Sequence, residues 1–194
     1  MLVSTFELLV KPIAPAGGPT PVARTVVQGY FLTIANTSNS QVRVRLRFTA
    51  TTPGLNIADT VTITDVVGEN EFGEIAPVNA KRSIYFVNIP ANDTALVTLL
   101  PDITKPEVLA AKSLEIRGYA EIFLSSPAQN SINLLVTPEH RGTFLPADVN
   151  APTADFDQLA YALPTASGGS LFTLNKEEPE PGEAAAVAAV IGKA

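Results

Sequence analysis

From Val42 to Phe48 the chain reads Val-Arg-Val-Arg-Leu-Arg-Phe. A strand sends alternate side chains to opposite faces, so this heptapeptide separates cleanly into Val42, Val44, Leu46 and Phe48 against Arg43, Arg45 and Arg47. One face must enter a core and the other must be solvated or neutralised. The segment therefore predicts a sheet with one dry and one polar side.

Similar β-rich runs recur along the chain. Leu2 to Ile13 is closed by Ala14-Pro15-Ala16-Gly17-Gly18-Pro19, a loop by composition. Thr25 to Ala35, Thr60 to Val66, Arg82 to Ile89, Thr94 to Leu100, Ser113 to Leu124 and Ile132 to Thr137 read as further strands. Gly68 to Gly73 reads as an acidic loop, and Pro90-Ala91-Asn92-Asp93 as a turn. Pro106 to Ala111 reads as one helical turn with proline at its first position. In Ser113 to Leu124, one face takes Leu114, Ile116, Ala120, Ile122 and Leu124, and the other takes Glu115, Arg117, Tyr119, Glu121 and Phe123.

The total is about seven or eight strands, which predicts an all-β, Ig-like antiparallel β-sandwich over residues 1–137. Residues 138–175 read as an irregular loop followed by a hairpin packed on the sandwich. Its strands would be Gln158 to Leu163 and Ser170 to Leu174, turning through Ala166-Ser167-Gly168-Gly169. Residues 176–194 read as a flexible acidic linker, then a short alanine-rich helix from Ala184 to Ile191 that stops at Gly192.

A chain of 194 residues can bury a core without staples, and with 0 Cys it has no disulfide or thiolate site. Its net charge of −6 disfavours nucleic acid and anionic membranes, both of which call for a basic partner. No apolar run reaches the roughly 18 residues of a membrane helix. The start lacks a basic region, and Glu7 and Lys11-Pro12 interrupt its apolar run, so no signal peptide is expected and the default compartment is the cytoplasm, with export by another route left open. Asn36-Thr37-Ser38 and Asn92-Asp93-Thr94 match the glycosylation acceptor pattern, which matters only in a secretory pathway. Charged residues are only 16% of the chain, a surface suited to contact with other protein.

Chemistry is sparse. The single histidine, His140, lies between Glu139 and Arg141, and any Ser-His-Asp triad would have to use it, with Asp148 nearby. The alternative is a histidine on a surface loop. Asp148, Asp155 and Asp157 could offer oxygens to Ca²⁺, but their spacing fits no EF-hand loop and Pro152 intervenes, so a solvated acidic loop is the better reading. Gly17-Gly18 and Gly168-Gly169 lack the surroundings of a phosphate loop and read as turns. No cofactor or metal is expected.

The sharpest features are surfaces. The Arg43, Arg45 and Arg47 stripe could hold an anionic partner or the chain's own acidic tail. Alternatively, it pairs across strands with Glu115 and Glu121. Tyr119 and Phe123 share the polar face and suit a contact patch, unless the expected hairpin covers them. Val187, Val190 and Ile191 form a small apolar stripe on the tail helix, suited to a groove on a partner or a sister subunit.

These features point first to a non-catalytic structural protein, a self-assembling subunit of a fibre, shell or coat. Next comes an adaptor or cargo module docking through its C-terminal peptide, and last a ligand-binding or enzymatic sandwich using His140. The expected partner is protein, as a homo-oligomer or as other subunits of an assembly.

Overall fold

The structure is a computed structural model that describes residues 1–14, 24–52, 56–146 and 148–191, apart from the side chains of Thr52, Ile57, Val190 and Ile191. The Gly17-Gly18 turn and the Gly192 stop fall outside these residues. The described chain is mostly antiparallel sheet. In order, the strands are β1 (Leu2–Pro12), β2 (Thr25–Asn36), β3 (Val42–Thr52), β4 (Thr60–Val66), β5 (Glu69–Gly73), β6 (Ala76–Pro77), β7 (Arg82–Ile89), β8 (Asp93–Pro101), β9 (Leu114–Leu124), β10 (Ser131–Phe144), β11 (Asp157–Ala162) and β12 (Leu171–Asn175). Two α-helices accompany them among the described residues, α1 (Pro106–Ala111) and α2 (Ala184–Ile191), both at the residues where the sequence places them.

The strands form one sheet whose main path runs β5-β4-β8-β2-β1-β9-β3-β7-β6. β2 is the pivot. β10 takes one of its edges from Val26 to Ala35, while β1 and β8 share the other, β1 at Thr25–Gln28 and β8 at Tyr30–Asn36. The two ends of the path are consecutive in the chain: only Glu74 and Ile75 separate β5 from β6. A sheet whose first and last strands are that close must curl. Tyr85 of β7 donates or accepts a 2.6 Å hydrogen bond with Thr64 of β4, tying the two ends together. A Cβ on Gly73 would sit 2.0 Å from the Tyr85 hydroxyl oxygen, so the tie depends on a glycine there.

The alternation at Val42–Phe48 appears as expected. Val44, Leu46, Phe48 and Ala50 join Ile116, Ala120, Ile122 and Leu124 of β9 in the core. At its centre Phe6, Tyr30 and Phe48, one ring each from β1, β2 and β3, stand 5.9–6.3 Å apart in tilted and edge-on geometries. Removing one such ring costs about 3–5 kcal/mol.

Several expectations need correction. Gly68–Gly73 is not a loop. It turns through Val67 (φ 59°) and Gly68 (φ 84°) into β5, the paired positive φ values of a tight hairpin turn. With β5 and the two-residue β6, nine strands end by Leu124 among the described residues and a tenth starts at Ser131, more than the expected seven or eight. The boundary at residue 137 falls inside β10, which continues through Pro138 to Phe144.

The expected hairpin is absent as well. β11 and β12 pair not with each other but with successive halves of β10, at Glu139–Phe144 and Ser131–Leu135. Pro138 explains the break. Its carbonyl accepts from Leu163 at 2.9 Å, on the edge where proline has no N–H to return. The partner segment leaves β10 there, its Ala166 N–H reaches Val3 O at 2.7 Å, and it rejoins β10 at Leu171.

Candidate functional site

The C-terminal segment does not hang free. After β12, Lys176 bridges in parallel to Leu124 at the end of β9, and the chain then crosses the outer face of the sheet toward β6, against which α2 rests. Its seat is the arginine stripe. Arg47 forks onto Glu121 of β9 through Nε and Nη2 at 2.7 and 2.8 Å, and its Nη1 donates to Glu180 at 2.7 Å and Glu183 at 3.0 Å. Arg45 lies 3.3 Å from Glu183 as an ion pair, and Arg82 of β7 donates to Glu180 at 2.9 Å. Glu183 is 1% exposed and Arg45 is 3% exposed.

The register brings these groups together. Arg45 is opposite Phe123, and Arg47 is opposite Glu121. The Phe123 ring is flanked by both guanidinium groups, at 4.7 and 4.8 Å, and Arg43 stacks over Phe86 at 4.5 Å. Planar guanidinium on a ring face gains cation–π attraction while its edge remains free to bond carboxylates. Burial pulls Arg45 below its ordinary pKa, with Glu183 opposing, whereas the Glu121 hydrogen bond leads in raising Arg47. The Arg47 hydrogen bond lowers Glu180.

Both sequence-level readings of the stripe therefore occur together: Glu121 supplies the cross-strand partner, and the tail supplies Glu180 and Glu183. Glu115 does not join them; it pairs with Lys11 and Arg117. Phe123 is covered by Arg45 and Arg47 rather than by a hairpin, while Tyr119 is half-buried on the same face. Val187 is buried, and the side chains of Val190 and Ile191 lie outside the described ones. The sequence named the acidic tail as one candidate occupant of the stripe, but nothing local in Glu-Pro-Glu-Pro-Gly-Glu says which of its carboxylates meet which arginine.

His140 is not on a surface loop. It sits in β10, 5% exposed, and its Nε2 accepts the Glu7 backbone N–H at 3.0 Å. Pairing of β1 with β2 begins only at Leu9, so the imidazole stands in for a strand partner at Glu7. Nδ1 is 3.0 Å from the Tyr161 hydroxyl, which donates to Gln28 at 3.4 Å. With Nε2 accepting, the neutral ring keeps its proton on Nδ1 and donates it to Tyr161. Burial lowers the pKa to about 4.

The three aspartates do not converge. Asp157 pairs with Arg24, Asp155 offers its backbone oxygen to Arg24 at 2.7 Å, and Asp148 caps the Asn150 N–H at 2.9 Å. Among the described residues no three His, Asp or Glu side chains gather as metal ligands. Asn36, the first glycosylation candidate, is 1% exposed and donates to the carbonyls of Ser40, Ile89 and Pro90, so the folded chain offers it to no enzyme. Asn92 is exposed in its turn.

No protein-family model matches the chain, and no curated protein matches it. Among solved structures, the collagen binding subdomain of the Enterococcus faecalis surface protein ACE overlaps 81% of this chain and 94% of its own, at 11% identity and a TM-score of 0.26. AvmM, which catalyzes macrocyclization in alchivemycin A biosynthesis, overlaps 92% of this chain and 90% of its own, at 7% identity and a TM-score of 0.23. TM-scores this low carry no weight for the fold or function of this chain.

Proposed function

We propose that this protein is a non-catalytic structural subunit that self-assembles into a fibre, shell or coat, its curled sheet being an Ig-like sandwich. The observation that carries this reading is the edge formed by β11, β12 and the segment between them. From Gln158 to Asn175 there is no charged residue. β11 is exposed along both faces, and Leu171 (61% exposed) stands across from Leu135 on the adjacent strand, also exposed. Interface centres are depleted of charge and enriched in tyrosine, and an unblocked strand edge offers backbone pairing to another copy. Tyr161 and Phe156 add two half-exposed rings to the same region.

The non-catalytic part of the reading is supported by His140, which is buried and whose two ring nitrogens are both occupied by structural partners. Light scattering and negative-stain microscopy across a concentration series test the reading. The native chain is expected to form a regular assembly and Leu171→Glu to shift it toward monomer. A native chain that stays monomeric at every concentration overturns the proposal.

A further inference from the structure

We infer that the arginine cradle of one copy receives the C-terminal arm, residues 176–191, of a second copy. The cradle is Arg45, Arg47, Phe123, Glu121 and Arg82; the arm enters it through Glu180 and Glu183.

The arm is separable from the body. Beyond Lys176, which bonds the Asn130 and Pro127 carbonyls, its hydrogen bonds to the body among the described residues are side-chain ion pairs on one face, and Val187 is buried. It contributes no strand to the sheet beyond the single bridge at Lys176. Pro179 and Pro181 fix φ and bias the residues before them toward extended backbone, so the segment holds its reach when it leaves. An element whose contacts are all with its own chain's surface meets identical contacts on a sister chain, which makes exchange a low-cost route to association.

The same seat exists on every copy: Arg45 holds Glu183 Oε2 as an ion pair at 3.3 Å, and Arg47 and Arg82 hold Glu180. Charge selects the occupant. A site built from Arg45, Arg47 and Arg82 takes an acidic segment with carboxylates three residues apart, and every copy carries one at Glu180 and Glu183.

The inference rests on the self-association proposed above, which brings arms within reach of neighbouring cradles and raises their effective concentration. The test exploits a chain with 0 Cys. One full-length batch carries Ala188→Cys on α2, and another carries Pro77→Cys on β6, against which α2 rests. The two are mixed, equilibrated and treated with a flexible bis-maleimide, while light scattering reports their size. A third batch with both cysteines in one chain reports cis seating and shows that the pair is within reach of the reagent.

Exchange gives a cross-linked heterodimer in the mixture, and Glu183→Gln in the arm lowers its yield about tenfold. Assembled protein with a cis product in the double variant but no heterodimer overturns exchange and leaves self-assembly standing. Monomeric protein without heterodimer overturns both. A heterodimer whose yield is unchanged by Glu183→Gln overturns the cradle as its seat.

Discussion

Lowering the pH from 7.5 to 4.5 should destabilise the protein by about 2.5 kcal/mol through His140 alone. Its imidazole is buried against Tyr30 and Tyr161, with ring centroids 6.3 and 5.4 Å away, and Nε2 already accepts the Glu7 N–H. Burial lowers its pKa from 6.5 to about 4. The folded value lies below the unfolded one, so between the two the unfolded chain binds a proton that the folded chain refuses. Stability is therefore full above pH 6.5 and is lost as the pH falls toward 4.

Each tenfold difference in proton affinity is worth about 1.4 kcal/mol, which sets the scale of the loss, and in a chain of this length it corresponds to roughly 5–10 °C in Tm. Carboxylates titrate over part of the same range, so the assay is comparative. Urea unfolding is followed at half-unit pH steps for the native chain and for His140→Gln. Glutamine can accept from Glu7 N–H and donate to Tyr161 without titrating. The native curve should fall more steeply than the variant between pH 6.5 and 4.5, the gap narrowing as the pH drops. Parallel curves through this interval would refute the idea that the imidazole is held neutral by burial.

Four further outcomes follow from the same geometry. Gly118→Ala should cost more than about 3 kcal/mol in urea unfolding, because the new Cβ would lie 2.0 Å from the Thr49 carbonyl oxygen beside the bulge between Ala50 and Thr52; a gain in stability would contradict the close approach. Val67→Asn should add about 1 kcal/mol by the same measurement, since Val67 holds φ 59° in an exposed turn where asparagine is at ease. Glu183→Gln should speed tryptic cleavage after Lys176 about tenfold while Tm moves by less than about 3 °C, because the arm can leave without opening the core. Arg47 holds Glu180 below the ordinary carboxylate range, so the native arm should stay seated at pH 5 and become cleavable by an acid protease only as the pH falls through that lowered value.

The sequence was most legible where burial imposes a period. The alternation in Val42–Phe48 and Leu114–Leu124 gave the right faces because one side of each strand is core. Both helices were found at their true bounds, α1 from its leading proline and α2 from its alanines. Legibility failed where pairing is decided by distant chain. Glu69–Gly73 carries a polar strand because β4 lies beside it, not because of any pattern of its own. Pro138 looked like the end of a strand, yet β2 supports β10 on the opposite edge at Leu32. His140 looked exposed between two charged neighbours. Its burial comes from β1 parting from β2 at Glu7, a feature of topology that no local window contains. For the cradle, the charges were visible on both sides, but the crossing of the arm over β9, β3 and β7 was not.

The two-residue link between β5 and β6 also bears on how this sheet opens. In an open sheet the two outermost strands fray independently, and each is a separate weak point. Here, following hydrogen bonds from β5 through the sheet to β6 and the chain back through Ile75 and Glu74 completes a circuit. Peeling β5 from β4 pulls on β6, and through β6 on the start of β7, where Tyr85 is bonded to Thr64 beneath the same seam. The rims thus behave as one cooperative unit, and their amides should exchange hydrogen together, at a single opening free energy, rather than as two frayed margins.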